Sequence, residues 1–193
     1  MSKRSIPDGW LSYKACGKQI EGTKLICFKV PLKKCVPMGQ EVWNVEALLA
    51  IPGLGAVVDL TNTSRYYNPN EIIKAGLLHK KILVPGREIP NHSVVEEFFD
   101  TVDDFMSQGL LVGVHCTHGL NRTGYMVCLY MRDRLGIAGD EAIRRFEEAR
   151  GYKIERKNYI ADILRKVPPP PDFRQYTSIQ AVVNQTEKLN LGN

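Results

Sequence analysis

Long apolar runs are missing from this chain of 193 residues. None approaches the ~20 residues that a membrane span needs, so no membrane-bound state is expected. The first residues, Met1-Ser2-Lys3-Arg4-Ser5-Ile6-Pro7, lack the apolar stretch of a secretory leader, and a cytosolic or nuclear home is expected. Paired cysteine motifs are absent too. The five cysteines (Cys16, Cys27, Cys35, Cys116 and Cys128) are odd in number and form no CxxC pair. That argues against a disulfide framework or a zinc site. Charge of one sign is in no large excess. A net charge of +5 and a pI of about 8.9 are compatible with a polyanionic ligand without establishing one.

What is present is the composition of a soluble globular domain. Hydrophobic residues at 44% and charged residues at 24% suit one unit with a sizeable core. No internal repeat is visible. Leu25–Val30 reads as a strand ended by Pro31, Val42–Ile51 as a helix stopped by Pro52-Gly53, and Gly55–Leu60 as a buried strand. Leu77–Val84 reads as another strand. Ser93-Val94-Val95-Glu96 has capping-box spacing, and Val94, Val95, Phe98, Phe99, Val102, Phe105 and Met106 continue at helical intervals to Gly109. Leu110–Val114 is a third apolar strand. Helices are expected over Thr123–Leu135, Asp140–Arg150 and Lys157–Lys166. Strands alternating with crossover helices predict an α/β layer fold with its ligand at the carboxyl ends of the strands. Residues 1–167 form the expected catalytic domain, and 168–193 a Pro-rich, polar, loosely attached tail.

The stretch that carries chemistry is Val114-His115-Cys116-Thr117-His118-Gly119-Leu120-Asn121-Arg122-Thr123-Gly124. Cys116 follows a buried strand, and Arg122 opens a helix six residues later. A short loop in that setting curls its backbone N–H groups inward into an anion nest, backed by the positive end of the helix. Arg122 grips phosphate oxygens through its fork. The same field stabilises a thiolate at Cys116, which is then a nucleophile for phosphorus. Thr123 eases departure of the sulfur, Gly119 and Gly124 permit turns and close approach, and His115 orients the loop through backbone contacts. Thr117, His118, Gly119, Leu120 and Asn121 complete the phosphate cradle. His118 is expected to bond nearby backbone rather than do chemistry. The two-residue Cys-x5-Arg pattern is weak by itself; the strand before, the helix beyond, the glycines within and the following Thr make it specific. Cys128, beside Val127 and Met131 on an apolar helix face, reads as core, as do Cys16, Cys27 and Cys35.

The run His115–Tyr125 resembles the signature of the RNA 5′-triphosphatase branch of the cysteine-dependent phosphatases, with Thr-His-Gly-x-Asn as its distinguishing interior. Val58–Tyr67 is similar to the upstream strand and loop of that branch. Phe146–Tyr159, Ile6–Trp10 and Ile26–Leu32 resemble its baculovirus and stand-alone RNA/RNP-interacting members more than the capping-enzyme domain. The resemblance spans residues 6 to 166 and implies a dual-specificity-phosphatase-like fold, a central, mostly parallel, twisted sheet flanked by helices. It implies removal of the γ- and then the β-phosphate from 5′-triphosphate RNA through a cysteinyl-phosphate, leaving a 5′-monophosphate. No metal and no cofactor are called for, because loop and arginine supply the electrostatics. Partners implied are the RNA 5′-triphosphate end and ribonucleoprotein or RNA-processing factors. The protein is expected to be a monomer, nuclear and to some extent cytoplasmic.

Protein phosphatases of the superfamily carry an aspartate general acid on a mobile loop. The equivalent stretch here, Val84–Pro90, has no aspartate. A phosphate leaving group is stable as an anion and needs protonation less. Asp59 and Glu88 are the alternative proton donors; Asp59 reads equally as a loop-organising carboxylate and Glu88 as a surface charge. Arg156 and Lys153 are candidates for the phosphates beyond the one under attack, against a solvated basic face as the other reading. Arg65, Lys80, Lys81 and Arg87 would extend a positive rim, and Asn62 and Asn158 would position water or loop backbone. Competing functions are a dual-specificity protein phosphatase, a capping-type triphosphatase that stops at the diphosphate, and a non-catalytic phosphate-binding module.

Overall fold

The structure is a computed structural model and describes residues 6–33 and 37–166. Cys35 and the expected tail, 168–193, lie outside the described residues. Five strands, β1 (Cys16–Gln19), β2 (Leu25–Lys29), β3 (Leu54–Asp59), β4 (Leu78–Lys81) and β5 (Leu111–Cys116), form one sheet in the order β1-β2-β5-β3-β4. Only the β1–β2 pairing is antiparallel; β2–β5, β5–β3 and β3–β4 are parallel. The mostly parallel α/β sheet expected from the sequence is therefore present. β5 lies at its centre, so Cys116 emerges from the best-supported strand.

Alternation along the strands divides the core in two. Leu25 and Cys27 of β2, with Val112, Val114 and Cys116 of β5, face one side. There they pack against α3 (His92–Ser107), α4 (Asn121–Asp133), α5 (Gly139–Arg150) and α6 (Lys157–Ile163) through Phe98, Phe99, Val102, Met126, Phe146 and Tyr159. Ile26, Phe28 and Val57 face the other side, covered by Trp10, Trp43 and the short helices α1 (Val45–Leu49) and α2 (Pro69–Lys74). Among the described residues, no helix is long and apolar enough to cross a membrane.

Several boundaries move for local reasons. Helix α1 starts late because the Asn44 side chain accepts from Ala47 N and caps it. Strand β4 stops at Lys81 because its partner Asp59 is the last residue of β3. Ser93 is not the N-cap of α3: Asn91, extended after Pro90, already fills that place, and no side chain caps the helix. Helix α6 ends at Ile163, short of Lys166, because Arg165 turns left-handed (φ 53°) and Lys166 N returns to Ala161 O. Strand β1 and helix α2 carry too few residues to announce themselves by periodicity, although Asn68-Pro69 is a good helix start.

Candidate active site

Cys116 is the last residue of β5, and the loop 117–120 carries the chain into α4, whose second and third residues are Arg122 and Thr123. The loop lies tightly on the end of β2. Gly119 has a left-handed backbone (φ 70°), and a Cβ there would collide with the carbonyl of Phe28. Val30 N also donates to Thr117 O at 3.2 Å.

Cys116 is 4% exposed. Burial alone would oppose its ionisation, but the Arg122 guanidinium, Thr123 and the Gly119 N–H outweigh burial and hold the thiol below its ordinary pKa. Thr123 Oγ1 is buried and meets hydrogen-bond geometry with no neighbour at rest, yet it lies close enough to favour the thiolate. The contrast with the other thiols is plain. Burial pushes Cys16 up to about 11, raises Cys27 further and lifts Cys128 well above the ordinary thiol value, in keeping with the core roles expected for them.

Arg122 is held in place before any ligand arrives. Its Nη1 donates to Leu60 O at 3.3 Å and Val84 O at 3.0 Å, and its Nη2 to Thr117 Oγ1 at 2.9 Å. The cavity above the sulfur, about 230 Å3, is lined by Gly86, Arg87, Cys116, Thr117, His118, Asn121, Arg122, Arg156 and Tyr159. Three arginines and no carboxylate face it. Asn121 brings Arg156 there: its Oδ1 accepts from Glu155 N at 2.9 Å and Arg156 N at 3.0 Å, while its Nδ2 donates to Glu155 at 3.1 Å. His118 Nε2 bonds Asp8 O at 2.7 Å, the backbone role expected of it. Leu120 is buried as the residue before α4.

Asp59 is near the loop but fully engaged. Oδ1 accepts from Thr61 N and Oγ1 at 2.8 and 2.7 Å, and Oδ2 from Tyr67 OH at 2.9 Å and Lys81 Nζ at 3.0 Å. Burial works against its charge, yet His115, Lys81 and the Thr61 donors keep its pKa below the ordinary carboxylate value. Tyr67 OH also meets His79 and His115 at 2.8 and 3.0 Å, and His115 Nδ1 lies 3.2 Å from Cys116 O. This chain of contacts runs from the β3–β4 edge to the backbone of Cys116. Glu88 is exposed, and its carbonyl accepts from Tyr159 OH at 3.0 Å.

Of the expected rim residues Arg65, Lys80, Lys81 and Arg87, Arg87 alone lines the cavity, and of the two candidates for the distal phosphates Arg156 lines it and Lys153 does not. Lys153, Asn62 and Arg65 are exposed and do not line it, and Lys80 pairs with Glu97 at 2.8 Å. Lys81 is committed to Asp59 and Thr63. Asn158 does act on loop backbone, donating to Arg87 O at 3.1 Å.

Sequence reasoning missed Arg150. It is 2% exposed, with Nε donating to Gly119 O at 3.2 Å and Nη2 to His118 O at 3.1 Å and Lys14 O at 2.8 Å. A signal was available, because Arg150 continues the buried stripe Ala142–Phe146 at four-residue intervals on α5. Among the described residues, no group of three or more His, Cys, Asp or Glu is arranged to hold a metal ion.

A thiol made acidic at the end of a central parallel strand, with an arginine fork six residues on at a helix start, is the device of one class: the cysteine-dependent phosphatases, which carry a phosphoryl group on sulfur. Within that class the chain belongs to the dual specificity phosphatase family, whose catalytic-domain model matches residues 38–167. It is similar to the tyrosine-protein phosphatase of Autographa californica nuclear polyhedrosis virus, with 53% identity over 82% of this chain and 99% of the relative. It is also similar to the human RNA/RNP complex-1-interacting phosphatase, with 36% identity over 93% of this chain but 60% of that longer protein. Among solved structures, Tk-PTP in its active form matches 78% of this chain and 97% of its own with a TM-score of 0.62. PTPMT1 matches 86% and 98% with a TM-score of 0.60. At 18% identity these two speak for the fold alone.

Proposed function

We propose that this phosphatase acts on the 5′-triphosphate end of RNA, removing the γ- and then the β-phosphate and leaving a 5′-monophosphate. The observation that carries the reading is the cavity wall. Arg87, Arg122 and Arg156 converge on one small space with no carboxylate among the lining residues. A single phosphomonoester is gripped by the loop and one fork; two further guanidiniums suit the additional charge of a polyphosphate. Similarity to phosphatases named for an RNA/RNP complex supports the same substrate class, and ribonucleoprotein partners with it.

In this reading, Sγ of Cys116 attacks the γ-phosphorus. An S–P bond forms, the P–O bond to the β-phosphate breaks, and the RNA diphosphate leaves with the electron pair. Water then cleaves the S–P bond, and Thr123 steadies the returning thiolate. Arg122 binds the phosphoryl group in flight, and Arg156, fixed by Asn121, binds the phosphates behind it. Asp59, with every oxygen engaged, is a positioning residue rather than a proton donor. The loop and arginines carry the charge that a divalent ion carries elsewhere, so turnover should persist in EDTA.

The name of the viral relative and the matched family favour a second reading, a protein phosphatase. The two separate on purified protein given γ- and β-labelled triphosphate RNA beside a phosphotyrosine peptide, in EDTA. Release of both labels, lost in Cys116→Ser, supports the RNA reading; faster turnover of the peptide would sink it. Release of the γ-label alone would indicate a capping-type enzyme. Arg156→Ala should raise KM for triphosphate RNA about tenfold more than for an aryl phosphate. An equal effect on both would remove Arg156 from the distal phosphates.

A further inference from the structure

By its resemblance the loop 84–90 is the counterpart of the general-acid loop of protein phosphatases, and Arg87 of this loop lines the cavity. Three features set this residue apart. Its backbone is left-handed (φ 78°), a conformation shared by only one other non-glycine residue, Arg165, among the described ones. Its immediate neighbour is Gly86, which is not itself in the left-handed region and whose Cβ would meet nothing within 4 Å. A glycine that could take up the turn without strain is thus one position away, yet the strain falls on the arginine. Strained backbone of this kind persists where the surroundings hold it and the side chain has work to do.

The surroundings do hold it. Arg122 Nη1 donates to Val84 O at 3.0 Å, Asn158 Nδ2 to Arg87 O at 3.1 Å and Tyr159 OH to Glu88 O at 3.0 Å. Two of the three tethers come from Asn158 and Tyr159, two and three residues after Arg156, and the third from Arg122, so the other two cavity arginines and the loop are registered to one another. The Arg87 carbonyl is used as an anchor, and its exposed side chain lines the cavity.

We propose that Arg87 stabilises the leaving phosphate as an anion and so replaces the general acid of this loop. A guanidinium has no proton to give, but it can hold two oxygens of a departing phosphate through its fork. As Sγ bonds to phosphorus and the P–O bond breaks, the electron pair moves onto the β-phosphate in the first cycle and the α-phosphate in the second. A cation aimed at that developing charge lowers the barrier without any proton transfer. A loop built this way selects leaving groups that are stable as phosphate anions and does little for a tyrosine, serine or threonine alkoxide. The inference rests on the RNA-end reading above and assigns the residue that makes the site selective for anhydrides.

The test compares Arg87→Gly and Arg87→Lys with the natural protein on triphosphate RNA, diphosphate RNA and p-nitrophenyl phosphate. Glycine removes the guanidinium and relieves the left-handed strain, so Arg87→Gly should melt no lower than the natural protein. Its kcat on both RNA substrates should fall about 100-fold. The loss on p-nitrophenyl phosphate, whose leaving group needs no help, should be at least about tenfold smaller. Arg87→Lys should recover part of the RNA activity, because it restores the charge without the fork. Equal losses on all three substrates, or undiminished kcat on RNA, would overturn the proposal while leaving the RNA reading intact. A natural protein that cleaves neither RNA substrate would overturn both.

Discussion

Arg150 takes a cation into the interior and uses it on carbonyl oxygens rather than on a carboxylate. Two of those oxygens, of His118 and Gly119, belong to the phosphate loop, and the third belongs to Lys14 in the segment before β1. A carbonyl turned toward Arg150 leaves its peptide oriented with N–H groups toward the opposite side of the loop, where phosphate oxygens would sit. Burial lowers the pKa of Arg150, and the nearby thiols of Cys27, Cys16 and Cys116 work against that lowering. Replacing Arg150 with Met leaves three carbonyl acceptors without their partner. The expected cost is about 2–4 kcal/mol, together with a turnover loss, and Arg150→Lys should recover only part because one ammonium cannot match the fork. Thermal melting and kcat measured on the same samples check this. Arg150→Met with unchanged melting and unchanged kcat would show that the loop shapes itself.

At the scale of elements, the site is a meeting of β2, β5 and α4, with the segment before β1 packed beneath. Lys29, at the end of β2, is 2% exposed; its Nζ donates to Trp10 O at 3.2 Å and Tyr13 O at 2.6 Å and lies 3.7 Å from the Trp10 ring centre. Trp10 Nε1 returns a bond to Val30 O at 3.0 Å. These bonds lock residues 7–15 against the strand on which the loop rests, and Asp8 and Lys14 then reach His118 and Arg150. Gly119 is where the two layers come closest. Gly119→Ala would force a methyl onto the Phe28 carbonyl in a left-handed backbone, so the loop must lift. We expect a loss above about 2 kcal/mol and a kcat reduced on every substrate alike. An alanine variant that melts and turns over normally would mean that the loop has room which the packing denies. Gly124 is limited differently, by the side chains of Ile154 and Phe146, each 2.7 Å from where its Cβ would be. α4 therefore sits against α5 and the segment carrying Arg156 at close range.

For the whole molecule, the half-buried His79 and the buried His115 set an acid limit. Burial lowers His79 to about 4 from 6.5, and Asp59 only partly opposes it. His115, fully buried, is lowered for the same reason. Between pH 6.5 and about 4 the unfolded chain therefore binds protons that the folded chain refuses, and stability falls as pH falls through that window. Asp59 adds nothing to this slope, since its folded and unfolded values both lie at or below 3.8 and its contribution is lost only in stronger acid. The expected loss from pH 7 to pH 4.5 is about 1–3 kcal/mol, or several degrees in melting temperature. His79→Gln should flatten the curve; a melting temperature that is level across this range, or unaltered in slope by the substitution, would show that the histidines titrate freely. The groups facing these rings are Tyr67, Asp59, Lys81 and Arg122, so the variant must also be checked for kcat.

The loop that brings Cys116 beside Arg122 and Thr123 was legible in the chain as written, because it is local. Cys116, Arg122 and Thr123 lie within eight residues, bracketed by an apolar strand and a helical period, and their spacing alone places a sulfur beside a helix start. The alternation of strand and helix implied an α/β layer fold for the same reason. What only the tertiary structure decided is everything contributed from afar. Arg150 and Lys29 look like surface charges in a list of residues but are buried, since carbonyls from distant segments receive them. Asp59 reads from the sequence as a proton donor or as a loop-organising carboxylate, and only the tertiary structure shows Lys81, Tyr67 and Thr61 occupying both its oxygens. Lys153 and Arg65 share a charge sign with Arg87 and Arg156, and the tethers from Asn121, Asn158 and Tyr159 hold the segments whose cations line the cavity. Sequence spacing controls contacts along a strand or a turn of helix; hydrogen bonds between residues that are tens of positions apart depend on how the layers close.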